Sequence, residues 1–461
     1  MSEDAATELD RAVDRIQKAE DVVDLLAVLL GICRRHSSEV LAANQDPDKW
    51  DQLWDHAVQL EKKATETFTS RGLSEQTRDF AIGTLRNAVD FPIAARALAL
   101  GIDMAMQSHY PKTYSTVYRQ LCAKEPIRDP LREDDPYPTT SVDLAPMFGG
   151  KHGLSSPQSR NAGTAFDRVD GLALWPACPL HVIYDTVAGV SLDQALGQRQ
   201  DIDILAVSPN GSTSDFDFSG AFNGKKFFGI KMKDANRQDG DVQNALGVAV
   251  RKGAAIVVTP ELSSTTDAVR LINHSTAGGL PPIVIAGGSH VRVNGKRLNR
   301  LSTIYSGPTP VVVNHDKIGK YVFSLGGQNW TEDIHRSTVL RIHAGTNWSM
   351  IPLICADFLE ASVVDAVANL CPRLVLVASM SSKTGDFEKS MGAVIKKSQA
   401  LVVVVNGPHE WGDPTAPVKV PIVVVGMPLD KSWIRRLSPR KSARPPYLVL
   451  FSSRKRSVRS V

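Results

Sequence analysis

At 461 residues the chain is long for one domain, and its length predicts two or three. Hydrophobic residues make up 43% and charged residues 22%, with a net charge of +4, an ordinary globular balance that excludes global disorder. The longest apolar stretch, 22–32, is interrupted by Asp24 and falls short of the ~18 residues a membrane span needs, so it reads as a buried helix face.

In chain order, the acidic start MSEDAATELD has neither the basic nor the apolar region of a secretory signal, and a cytoplasmic address is expected. Residues 1–125 carry helix-period apolar spacing rich in Ala, Leu, Glu and Arg, which predicts a helical domain. Residues 126–165 turn to Pro, Asp, Ser and Gly and read as a linker or long loop. Residues 166–225 hold a possible strand at 202–208 and are otherwise an uncertain connecting segment. From 226 to 450 short β-rich runs alternate with helical ones: strands at 227–232, 254–259, 282–286, 349–354, 373–378 and 401–405. Helices are expected at 241–251, capped by Asp239 or Gly240, and at 266–273, 358–370 and 386–399. This alternation predicts an α/β domain, whose active groups usually sit just beyond strand ends. Residues 451–461 form a basic tail; between Lys431 and Val461 there are ten Lys or Arg and no Asp or Glu. Such a tail can hold nucleic acid or an acidic partner, but without aromatic interleaving it reads as solvated, and neither nucleic acid nor a membrane is an expected partner.

The five cysteines (Cys33, Cys122, Cys178, Cys355, Cys371) show no CxxC spacing and are expected to be reduced thiols. The histidines show no paired ligand spacing, so no metal and no cofactor is expected. Three polar residues follow apolar runs: Glu261 after "AAIVVTP", Lys317 in "VVVNHDKIGKY" and Cys355 after "SMIPLI". Each alone has a bland reading: a helix cap, a solvated lysine, a small core residue. Together they make chemical sense, since an ammonium stabilises a thiolate and a carboxylate can take the thiol proton and later activate water.

The stretches "GDVQNALGVAVRKGAAIVVTPELSS", "IVIAGGSHVRVNGKRLNRLSTIY", "VVVNHDKIGKYVF", "IPLICADFLEA" and "LVLVASMSSKTGDFEKSMGAVIKKSQALVVVVN" resemble, in order, the motifs of the carbon–nitrogen hydrolase family, the nitrilase superfamily. The resemblance spans about residues 226 to 430. It implies an α/β fold, a nitrilase-like αββα sandwich preceded by the mostly α-helical N-terminal domain. It also implies cleavage of non-peptide C–N bonds through a thioester, with Glu261 as general base, Lys317 as oxyanion stabiliser and Cys355 as nucleophile. Lys320 is the rival lysine. Glu332 in "NWTEDI" matches the family's second glutamate, Asp357 reads as the cap of the helix at 358, and Ser379, Met380 and Ser381 fall where members line the substrate pocket. His315 reads as a surface residue.

Members that attack nitriles commonly carry Trp-Glu after the cysteine; here Ala356-Asp357 stands instead, which points to a small-molecule amide or ureide substrate ahead of a nitrile. The stretch after Asn406 departs from the family's glycine-rich turn. The alternative is a weakly catalytic or non-catalytic scaffold that serves as an interaction protein. Family members generally dimerise, so a homo-dimer or higher oligomer is expected.

Overall fold

The computed structural model describes residues 3–68, 73–111, 117, 137–140, 169, 172–175, 180–197, 199, 201–263, 279–307, 309–325, 328–345, 347–370, 372–398, 400–412, 415–427, 433–439, 444–453 and 457–460. The helix expected at 266–273, most of the expected linker and the Arg454-Lys-Arg456 run lie outside them. The chain divides into two compact units, the first mainly Met1–Pro146 and Leu154–Pro179, the second mainly Leu180–Ala368 and Pro372–Val461.

The first unit contains α1 (Glu3–Gln17), α2 (Val22–Arg35), α3 (Ser37–Gln45), α4 (Pro47–Thr67), α5 (Glu75–Asn87) and α6 (Phe91–His109). Their starts are written in the sequence. Asp21, Asp46 and Asp90 accept hydrogen bonds from first-turn N–H groups, and Ser74 and Thr77 form a reciprocal capping box, which satisfies donors that a helix N-terminus otherwise leaves unpaired. The 22–32 stretch is the buried face of α2. Close packing of α4 on α6 needs a glycine, because a Cβ at Gly101 would stand 2.7 Å from the Ala57 carbonyl oxygen. Two strands, β1 (Tyr137–Thr140) and β2 (Leu172–Trp175), pair antiparallel within this unit, so regular structure enters the stretch read as linker.

The second unit opens with β3 (His181–Asp185), α7 (Thr186–Leu196) and β4 (Asp203–Ser208). A run of short strands follows, β5 (Phe216–Asp217), β6 (Phe222–Asn223), β7 (Lys226–Phe227) and β8 (Lys231–Met232), and leads to α8 (Ala235–Lys252). Next come β9 (Ile256–Val258), β10 (Ile283–Val293), β11 (Lys296–Tyr305), β12 (Val311–Asp316), β13 (Val322–Leu325), β14 (Gln328–Glu332), β15 (Val339–Ala344) and β16 (Ser349–Ile354). The chain continues through α9 (Ala361–Leu370), β17 (Leu374–Ser379), α10 (Gly385–Ser398) and β18 (Leu401–Asn406). It ends with β19 (Glu410–Trp411), β20 (Val418–Lys419), β21 (Val423–Met427), β22 (Trp433–Leu437), β23 (Tyr447–Ser452) and β24 (Ser457–Ser460).

Two seven-stranded mixed sheets result, ordered β12-β11-β10-β9-β4-β23-β24 and β22-β21-β18-β17-β16-β15-β3. They face each other through β10 and β11 against β16 and β17, and through β4 against β18. On the outer face of the first sheet, α8 lays Val242, Ala245, Leu246 and Ala249 on Leu205, Val207 and Val257. On the second sheet, α10 packs against β18 and β21. The layer order is therefore helix, sheet, sheet, helix, the α/β sandwich expected from the resemblance. The central strands are buried on both faces, which is why they read as unbroken apolar runs instead of alternating ones.

Several boundaries differ from the sequence reading. The 166–225 segment supplies β3 as well as β4, which is the possible strand at 202–208, and β4 sits inside the first sheet between β9 and β23; a sheet interior cannot be told from a lone apolar run by periodicity. The α/β unit thus begins near residue 180, not 226. Residues 457–460 of the expected basic tail are not a solvated tail but an edge strand on β23. The strand expected at 227–232 is two short strands broken at Gly229, where φ is +83°. The helix expected at 241–251 starts at Ala235, and Asp234 caps it through the Arg237 N–H.

Candidate active site

Glu261, Lys317 and Cys355 each stand just past a strand, β9, β12 and β16; β9 runs parallel to β10 and β16 parallel to β17, whereas β12 is an edge strand antiparallel to β11. Ser379 is the last residue of β17, and Glu332 the last of β14. Strand alternation buries whole sets of side chains, and the loops at one end of the sandwich then bring these polar groups together.

Lys317 Nζ donates to Glu261 Oε1 at 2.6 Å and to Glu332 Oε2 at 2.8 Å. All three side chains are buried. Burial opposes the lysine charge, but the two carboxylates overcome it and hold the ammonium well above the ordinary lysine range. Burial likewise works against the Glu332 carboxylate, yet Lys317 and then His290 hold it well below the usual carboxylate range. Four donors saturate that carboxylate: Lys317, Tyr321 N–H at 3.0 Å, Asn299 Nδ2 at 2.8 Å and His290 Nε2 at 3.0 Å. The Gly229 N–H donates to His290 Nδ1 at 3.1 Å, which assigns the ring proton to Nε2. Asn299 Nδ2 also donates to Glu261 Oε1 at 2.8 Å, so one amide holds both carboxylates in register around the ammonium.

Cys355 has φ +40°, a left-handed conformation that costs about 1–3 kcal/mol for a residue with a Cβ and that functional turns retain when the surroundings enforce it. The enforcing group is Asp357. Its carboxylate accepts from the Ile318 and Gly319 N–H groups, both at 2.7 Å, from the Ile354 N–H at 3.0 Å and from His315 Nε2 at 2.9 Å. It therefore ties the chain beyond Lys317 to the cysteine turn. Gly319 is needed in that contact, since a Cβ there would come 2.7 Å from the Ala356 carbonyl oxygen. Two expectations are corrected here. Asp357 lies in a 3-10 turn, Cys355–Leu359, ahead of α9, and is not the cap of a helix at 358. His315 is buried against Asp357 and is not a surface residue.

The Ser379 hydroxyl donates to Cys355 Sγ at 3.5 Å, and the thiol donates to the Met380 carbonyl at 3.8 Å. Ser381 lies one step away, with its N–H on Asn406 Oδ1 at 2.9 Å. Burial, and then the Glu261 charge, push the Cys355 thiol up to about 12 against the pull of Lys317. The turn therefore keeps a thiol at rest, where the nearby ammonium alone would favour a thiolate. Burial, together with Cys355 and Glu261, also pushes the Tyr321 hydroxyl up to about 12, so this phenol stays protonated beside the same groups. Lys320 is only half-buried, and it is Lys317 that meets the two carboxylates.

Sequence reasoning missed Asn299, His290, Tyr321 and the role of Asp357. Asn299 carried a readable signal: it shares a strand face with Leu301, Thr303 and Tyr305, all buried, and a polar side chain in a core-facing register needs a buried partner. The other three depend on contacts between segments distant in the chain. Among the described residues no cluster of His, Cys, Asp and Glu has the makeup of a metal site, and no helix is long and apolar enough to cross a membrane.

No protein-family model and no curated protein matches the chain. Solved structures that resemble it include a CN-hydrolase superfamily protein from Xanthomonas campestris, 17% identical with a TM-score of 0.37, covering 55% of this chain and 90% of that one. A nitrilase-superfamily amidase from Nesterenkonia is 11% identical with a TM-score of 0.37, covering 54% and 90%. A branch-10 member of the nitrilase superfamily from Saccharomyces cerevisiae is 12% identical with a TM-score of 0.37, covering 52% and 90%.

Proposed function

We propose that this chain is a cysteine-dependent hydrolase of non-peptide carbon–nitrogen bonds, acting on amides or ureides through a thioester. The observation that carries the reading is the Lys317 ammonium bridging the Glu261 and Glu332 carboxylates beside a cysteine held in a strained turn. A solvated or merely structural lysine does not need two buried carboxylates, a shared asparagine and a histidine to position it.

In this reading the thiol enters the reaction protonated. Glu261 takes the proton as Sγ bonds to the substrate carbon, so base and nucleophile act in one step and no stable thiolate is required. The carbonyl oxygen gains negative charge, stabilised by Lys317 and a backbone N–H of the cysteine turn. The Glu261 proton then passes to the leaving nitrogen as the C–N bond breaks, leaving a thioester and ammonia or an amine. Water, deprotonated by Glu261, attacks the thioester carbon, and the proton returns to sulfur as the acid departs. Glu332 holds Lys317 in place throughout; Ser379, Met380 and Ser381 border the substrate.

Intact-mass measurement during turnover of small amides tests this. The expected result is an acyl adduct on the wild-type chain that is absent in Cys355→Ala. A wild-type thiol that no member of a broad amide and nitrile panel acylates refutes the catalytic reading in favour of the scaffold.

A further inference from the structure

We infer, resting on the hydrolase reading, that the site takes amides with an apolar acyl group, aliphatic or aromatic, and discriminates against acyl groups that carry a charge. The reason lies in residues 209–234, the connection between β4 and α8. Its strands β5 and β8 pair Phe216 with Met232 and Asp217 with Lys231. Alternation sends the two pairs to opposite faces: Phe216 is buried and Met232 half-buried, whereas Lys231 is exposed.

The apolar pair joins one cluster with Leu262 and Met380, against which Phe218 and Trp411 also pack. Leu262 follows Glu261 directly and is held at φ +58°. Met380 is the residue whose carbonyl oxygen lies 3.8 Å from Cys355 Sγ. The general base and the thiol are thus each followed or touched by a member of the same apolar wall. Because Phe218, Met232 and Trp411 are only half-buried, that wall extends from the neighbours of the buried thiol to the surface.

Among the described residues, the charges near this wall have other partners or are exposed. Lys317 is engaged by two carboxylates, Asp215 pairs with Arg237 at 3.7 Å, and Lys231, Lys233 and Lys383 are exposed. Among the described residues no buried cation is free to meet a carboxylate on the acyl group, which would lose its water against hydrocarbon, a penalty that binding does not recover.

The test measures ammonia release by the full chain from butyramide, benzamide and glutaramate, the monoamide of glutaric acid. The expected kcat/KM for butyramide and benzamide is at least about 100-fold above that for glutaramate. Phe218→Ala, and on a separate element Trp411→Ala, are expected to shrink the benzamide preference over glutaramate at least about ten-fold, with far-ultraviolet circular dichroism confirming that each variant folds. Glutaramate turned over as well as the apolar amides overturns this inference and leaves the hydrolase reading standing. Unchanged ratios in both folded variants also overturn it. Ammonia from none of the three, together with no acyl adduct at Cys355, overturns both.

Discussion

Replacing Lys317 with methionine keeps most of the side-chain volume and removes the charge. In the native protein the ammonium sits 2.6 and 2.8 Å from two carboxylates that are themselves almost wholly buried, so its loss leaves two like charges facing each other across the single amide of Asn299. Breaking a buried pair in this way costs about 3–5 kcal/mol at neutral pH. The pH dependence gives the sharper signature. Glu332 is depressed in the native protein, so its contribution is present above the unfolded carboxylate value and is lost as pH falls through the folded one. In Lys317→Met the same carboxylate is destabilised as an anion, its folded pKa rises above the unfolded one, and protonation then relieves the variant. The deficit relative to wild type, measured by urea unfolding, should be largest near pH 7–8 and shrink toward pH 5. Activity should fall by at least about 10²–10³, the usual cost of an oxyanion donor, and by more than in Lys320→Ala. A deficit below about 1 kcal/mol, or one independent of pH, refutes the buried-bridge argument, and a larger loss in Lys320→Ala reassigns the lysine.

Burial lowers the His343 ring to about 3, while Tyr305 hydrogen-bonds its Nδ1 at 2.6 Å. A depressed histidine stabilises the fold fully above its unfolded value near 6.5 and progressively less as pH drops toward about 3, so His343→Phe should flatten the acid limb of a stability–pH curve; an unchanged limb assigns acid sensitivity elsewhere. Asp357→Ala strips the acceptor from three backbone N–H groups and His315 and should cost at least about 3 kcal/mol, with activity lost even at temperatures where the variant stays folded; wild-type turnover in that variant refutes its role in holding the cysteine turn. Sedimentation equilibrium should report a dimer or larger species, and a monomer at micromolar concentration rejects self-association.

Local rules carried much of this protein. Helix caps such as Asp21, Asp46 and Ser74, the amphipathic spacing of α1 to α6 and the unbroken apolar runs of β9, β16, β17 and β18 are properties of a few adjacent residues, which is why they could be read directly. Glu261, Lys317 and Cys355 were visible for the same reason: each breaks an apolar run at its end, and the structure brings them to one end of the sandwich. Three things required the tertiary structure. The membership of β4 and β24 in the first sheet depends on partners hundreds of residues away or on an edge left open by β23. The state of the sulfur reversed, because the low-dielectric burial of Cys355 outweighs the nearby ammonium, and burial is set by everything packed around a residue and not by its neighbours in the chain. The supporting network of Asn299, His290 and Asp357 joins segments 33 to 61 residues apart, and hydrogen-bond partners at that separation leave no periodic trace in a sequence.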